Sequence, residues 1–203
     1  NRGEKRVFES LVIEIDGGEG ETFASYPAAE LGTLDRDKVV ENLVSSGQWT
    51  AIRTRPYSKV PEPTAEPDAI FVTAMDTRPG APDPALWINE QSTAYLAGID
   101  VISCLTTGPV YVCAAGGVNL PASENPKAKH EEFSGPHPAG NAGTHIHFLH
   151  PVHTNRSVWF VGYQDVIAIG HLFLTGHLFF DRVIALSGPS VKNPRLIKTR
   201  LGA

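Results

Sequence analysis

The spacing of hydrophobic and polar positions changes several times along this 203-residue chain. Asp35 to Gly47 sets Val39, Val40, Leu43 and Val44 behind an aspartate and ahead of a glycine, which predicts a short amphipathic helix. Arg53 to Pro67 carries four prolines in fifteen residues, which predicts an ordered loop and excludes a helix or a central strand. Ala69-Ile-Phe-Val-Thr-Ala-Met75 is a continuous apolar run, as in a strand covered on both faces. A helix is predicted from Asp83-Pro84, with Asp as cap and Pro in the first turn, to Gly98. A second helical piece runs from Ile99 to Thr107 and stops at Gly108, and Pro109 to Ala115 is the next strand. Residues 116–143 are rich in Gly, Pro and Asn and show no period, while a third helix spans about Gln164 to Thr175. Arg182 to Ser187 reads as another buried strand, Arg195 to Leu201 as a strand, and Arg2 to Asp16 as a turn and a strand, with a hairpin turn at Gly17 to Gly20.

Strands and helices in alternation with short connections argue for right-handed crossovers. The fold class is therefore α/β, a Rossmann-like or flavodoxin-like, mostly parallel sheet with flanking helices. Composition adds bounds. At 41% hydrophobic the chain can bury its own core, and a net charge of -5 argues against a nucleic-acid partner, which would need a basic surface. No apolar run approaches the roughly 20 residues of a membrane-spanning helix. Cys104 and Cys113, each in an apolar stretch without Cys-x-x-Cys spacing, read as reduced core thiols rather than cluster ligands. Asn1 is not an initiator, no targeting peptide is visible, the first strand has no obvious local partner and the last stops abruptly at Gly202-Ala203, so an interior piece of a longer protein is expected.

Chemistry concentrates in Ser134-Gly-Pro-His-Pro-Ala-Gly-Asn-Ala-Gly-Thr-His-Ile-His-Phe-Leu-His-Pro-Val152; five of the eight histidines lie between His137 and His153. On a strand His145 and His147 would share a face, and His137, His150 or His153 would supply a third metal ligand. Against this, no Asp, Glu or Cys lies between His137 and His153 to complete or orient such a site, so histidines satisfied by hydrogen bonds are the default. Nucleotide binding fares no better. The turn Met75 to Pro84 lacks G-x-G-x-x-G and has prolines where amides are needed, and Asn141 stands where a Walker motif requires lysine. Neither Ser134 nor Ser187 sits in a nucleophile elbow. Arg53 and Arg55 before Pro56-Tyr57 can take an anion or a partner's carboxylates, with a solvated loop an equal account.

Five segments in order carry a family resemblance: Gln48 to Pro61, Ala69 to Thr77, Phe133 to Phe148, Tyr163 to Ala168 and Asn193 to Leu196. Together they resemble the A subunit of the bacterial sodium-translocating NADH:quinone oxidoreductases. The resemblance implies a peripheral protein on the cytoplasmic face of the bacterial inner membrane, in a complex that oxidises NADH, reduces ubiquinone and exports sodium. It implies that residues 1–26 close an upstream barrel-sandwich (biotinyl/lipoyl-like) domain. Residues 27–203 then form the Rossmann-like domain and lead to a β-grasp-like domain. That family is similar in fold to the flavin- and NADH-binding component of respiratory complex I, whose glycine-rich loop corresponds here to Thr50 to Lys59, with bulky residues in place of glycines.

The resemblance therefore places flavin and NADH on other subunits, and leaves no catalytic, cofactor or metal residue on this segment. What remains is a non-redox scaffold beside the membrane subunits, with ubiquinone as the ligand it could meet. A quinone offers two carbonyl acceptors and an apolar ring, so His137, His145 and His147, then Arg53 and Arg55, are the candidate contacts to quinone or partner. A free-standing metal-dependent hydrolase using the His137–His153 cluster and a nucleotide-binding module are the rival readings.

Overall fold

The computed structural model describes residues 11–14, 17, 20–154 and 156–202. The readings of Arg2 to Asp16 and Gly17 to Gly20 fall largely outside them. After a 3-10 turn at Ala28–Thr33, helix α1 (Arg36–Ser45) starts at Asp35, whose side chain accepts the Asp37 N–H at 2.8 Å. A second 3-10 turn, Gln48–Ala51, leads into the three-residue strand β1 (Arg53–Arg55), and the rest of the proline-rich segment is loop. Strand β2 (Ala69–Ala74) follows, then helices α2 (Pro84–Glu90) and α3 (Ser92–Ser103) and strand β3 (Val110–Ala115). Asp83 caps α2 by accepting the Ala85 N–H at 3.0 Å.

The break between α2 and α3 falls at Gln91, and α3 runs straight through Gly98. Gly98 is a packing residue rather than a stop. A Cβ there would lie 2.1 Å from the Val166 carbonyl oxygen on the crossing helix, and a Cβ at Gly170 would lie 1.8 Å from that of Ala94. The two glycines let α3 and the later helix, Tyr163–Thr175, approach backbone to backbone.

Four elements correct the sequence reading. The featureless stretch contains strand β4 (Ala128–Phe133), whose Lys-His-Glu-Glu centre suits an exposed edge and hides its period. The histidine-rich segment is helix α4 (Ala142–Leu149), not a strand, because Ala142, His145, Ile146 and Leu149 fall at i, i+3, i+4 and i+7 once His145 is counted with the buried positions. Strand β5 (Val158–Gly162) joins the sheet before α5 (Tyr163–Thr175). Arg182 to Ser187 is not a buried strand of that sheet: β6 (Asp181–Leu186) pairs with β7 (Arg195–Arg200) in a separate antiparallel hairpin, half-buried on one face.

The main sheet has the order β1-β5-β2-β3-β4, parallel except for the antiparallel edge strand β1. From β2 the chain steps one way to β3 and β4, then returns past β2 to β5. Crossovers in opposite directions carry their helices on opposite faces, as a common right-handed sense requires. One face bears the larger core, where Ile70, Val72, Val112, Trp159 and Val161 meet α1, α3 and α5. Among the described residues the other is covered by one helix, α4, with Ala142 and Ile146 in a cluster with Phe71, Tyr111 and Cys113. Cys104 and Cys113 are free thiols. No helix among the described residues is long and apolar enough to cross a membrane.

Candidate functional site

The point where the strand order reverses lies between the carboxyl ends of β2 and β5, the place at which open α/β sheets leave a crevice. A cleft of about 490 Å³ opens there. Its floor is Thr73, Met75, Phe160 and Val161; the starts of α4 (Gly140 to Ala142) and α5 (Gly162 to Asp165) form two walls; Asp76, Arg78 and Arg182 border it.

Charge in the cleft is organised as two ion pairs. Arg78 Nε donates to both Asp76 carboxylate oxygens, at 3.0 and 3.1 Å, and the Arg78 backbone N–H donates to the same side chain at 3.0 Å. Burial works to raise the Asp76 pKa, but these hydrogen bonds and the Arg78 charge outweigh it and hold the carboxyl below the usual range. Arg182 Nη2 donates to Asp165 Oδ1 at 3.2 Å. Here burial wins, and the Asp165 pKa is raised despite Arg182 and the nearby Arg53. Burial also raises Tyr163, so its hydroxyl is a phenol at neutral pH that accepts from Gln164 Nε2 at 3.3 Å and keeps its own proton to donate.

The histidine-rich motif builds one wall of this cleft. Gly140 N–H donates to Thr77 Oγ1 at 2.9 Å, and His137 Nδ1 lies 3.3 Å from the same oxygen, so the loop is moored to the turn after β2. A Cβ at Gly140 would stand 2.7 Å from the Thr77 nitrogen, which is why glycine is required. His145 is fully buried, its ring tilted against that of Phe133 at 4.3 Å between centroids, and its Nε2 donates to the Ala139 carbonyl at 2.9 Å. Nδ1 is then the unprotonated nitrogen and has no partner.

His147 is exposed. Two residues apart on a helix means about 200° of rotation, so His145 and His147 point to opposite sides rather than sharing a face. Arg53 is tied to the Thr50 and Ile52 carbonyls, and Arg55 lies 5.3 Å from the Phe160 ring. Of the five candidates from sequence, His137 is moored beside the cleft through Thr77 and Arg53 lies near enough to Asp165 to oppose the rise in its pKa, but neither lines the cleft, nor do His145, His147 and Arg55. Among the described residues no group of three or more His, Cys, Asp or Glu side chains converges as a metal site.

Sequence reasoning misses Asp76, Arg78, Tyr163, Gln164, Asp165 and Arg182 as site residues. The signal that finds all but Arg182 is position: two short runs, Met75-Asp-Thr-Arg78 and Gly162-Tyr-Gln-Asp165, lie at the carboxyl ends of parallel strands. Without β5 the reversal of strand order is invisible, and so is the cleft.

Residues 34–178 match the family described as NqrA second alpha/beta domain, and residues 183–203 match the NQRA C-terminal domain. The chain belongs to the NqrA family. It is 56% identical over all 203 residues to the A subunit of the Na(+)-translocating NADH-quinone reductase of Saccharophagus degradans, and equally to those of Hahella chejuensis and Vibrio atlanticus. In each case the alignment covers 100% of this chain and 45% of the relative, so the chain spans a little under half the length of these curated relatives. The family's second α/β domain thus coincides with the five-stranded sheet and its helices, and its C-terminal domain begins within the β6–β7 hairpin.

Proposed function

We propose that this chain is the α/β portion of a peripheral, cytoplasmic-face protein in a complex that couples NADH oxidation and ubiquinone reduction to sodium export. Its own part is that of a non-redox scaffold docked on the membrane subunits, associated with quinone. Flavin and NADH belong to other subunits. Residues 1–26 close an upstream barrel-sandwich domain, residues 27 onward form the α/β domain, and the hairpin leads into a β-grasp-like one.

The observation that carries this reading is the chemistry at the reversal point. A dinucleotide site there needs a glycine-rich turn with free amides for the pyrophosphate. The turn after β2 offers instead the Asp76 carboxylate, held ionised by Arg78, and a proline-rich Pro79 to Pro84. That position lacks the run of free backbone amides a pyrophosphate needs, whereas a neutral ring with carbonyl acceptors needs only one or two donors. We assign the quinone head group to this cleft, against Phe160 and Met75, with the Tyr163 hydroxyl and the Arg78 guanidinium as donors, and with His137 and Arg53 just outside its lining. His145, His147 and Arg55 serve packing or partner contacts. The hydrolase reading has no converging ligand set among the described residues to support it.

A photoreactive short-chain ubiquinone applied to the whole complex tests the assignment. Label on peptides containing Met75 to Arg78 and Tyr163 to Asp165 is expected; label confined to other subunits would remove quinone from this domain. Arg78→Leu should raise the quinone KM about tenfold, the worth of one charge-assisted hydrogen bond of about 1.5 kcal/mol, with little change in NADH oxidation by artificial acceptors.

A further inference from the structure

Tyr163, Gln164 and Asp165, at the start of α5, face two structures at once: the cleft and the β6–β7 hairpin. The Gln164 side-chain amide pairs with both backbone groups of Val183, donating to its carbonyl at 3.0 Å and accepting its N–H at 2.9 Å. That side chain therefore does for β6 at this position what a neighbouring strand would do. One residue earlier, Arg182 reaches Asp165 and also donates to the Phe179 and Asp181 carbonyls at 3.2 and 2.9 Å, so a guanidinium whose side chain is only 12% exposed finds three acceptors.

Farther along the hairpin, Lys198 pairs with Asp181 at 3.1 Å and lies 5.0 Å from the Trp87 ring on α2. Ser187 Oγ donates to the Gly80 carbonyl at 3.3 Å, in the turn that follows β2. The hairpin faces the α/β domain with Val183, Ala185 and Lys198, while Ile184 and Leu186 stand on its opposite, exposed side. Its polar attachments thus come mostly from the start of α5, which walls the cleft, with one more from the turn after β2 that carries Asp76 and Arg78.

We propose that this hairpin is a latch, with Gln164 and the Arg182–Asp165 ion pair as its bolt, through which the C-terminal domain is fixed to the α/β domain. The domain that begins at residue 183 is then positioned from side chains that line the cleft, and a change at the cleft wall is passed to that domain through direct hydrogen bonds. This inference stands apart from the assignment of quinone, since the bolt is built from this chain's own groups.

The test is amide hydrogen exchange on the full-length protein, comparing the wild type with a Gln164→Ala/Asp165→Asn double variant. Exchange in peptides covering 181–200 should accelerate about tenfold or more, while β2, β3 and α3 keep their wild-type protection. Gln164→Glu, which keeps the acceptor for the Val183 N–H and loses the donor to its carbonyl, should give an intermediate acceleration confined to the same peptides, and decides the matter if the double variant does not fold. Unchanged exchange at 181–200, or acceleration spread evenly over the α/β domain, would overturn the proposal. Quinone labelling bears on neither outcome.

Discussion

His145 shows what a buried histidine does when it is not a ligand. Desolvation lowers its pKa from the ordinary 6.5, with the Ala139 carbonyl opposing, and burial lowers that of His150 in the same way. A depressed folded-state pKa means that the stability from keeping the ring neutral is present in full above 6.5 and is lost as pH falls through the folded value. Thermal unfolding between pH 7 and pH 5 should therefore show a falling Tm. His145→Gln keeps a donor for the Ala139 carbonyl but does not titrate, so its Tm should be lower at pH 7, by a loss of about 1–2 kcal/mol, and should fall less steeply with pH. An equal slope in variant and wild type would mean that the ring is already exposed. Asp76 acts in a separate, more acidic window: its carboxyl is held below 3.8, so its contribution disappears only as pH falls through that depressed value.

At the level of elements, the tightest constraint is the crossing of α3 over α5. Gly98→Ala places a methyl against the Val166 carbonyl, and Gly170→Ala places one against that of Ala94; each clash involves backbone that cannot swing aside. Either change should cost about 3 kcal/mol or more despite alanine's better helix propensity, measured by urea unfolding of the full-length protein. The same pair explains what the sequence could and could not disclose. The β2 and β3 runs and α1 are legible because burial on one or both faces imposes a plain period. Gly98 reads as a stop because local propensity marks glycine as a terminator, whereas its reason is a helix distant in sequence. Strand β4 is hidden by its charged edge, and α4 by a histidine that occupies a core position. The hairpin strand Arg182 to Ser187 carries the alternation of any strand, and only its pairing with Arg195 to Arg200 shows that it leaves the main sheet.

Taken as a whole, the molecule is covered unequally on its two faces, and the cleft borders the weaker one. Helices α1, α3 and α5 bury the larger core, but α4 holds its side of the sheet through Ala142, His145, Ile146 and Leu149, with Phe148 71% exposed on its outer surface. The start of α4 and the Gly140 turn are also a wall of the cleft, so the stability of that wall is set by a small apolar contact rather than by the main core. Removing part of it should open the wall before it unfolds the domain. Ile146→Ala deletes buried methyl groups packed on Phe71, Tyr111 and Cys113, at a cost of about 2–4 kcal/mol. Amide exchange in residues 134–150 should then accelerate by about 30-fold or more, because about 1.4 kcal/mol corresponds to a factor of ten, while the amides of α3 and α5 keep their slow exchange. A uniform rise across both faces would show one cooperative unit. A rise confined to α4 and its preceding turn would show that the chemistry-dense stretch of this sequence is a separately opening wall, whose histidines shape access to the cleft by holding backbone in place.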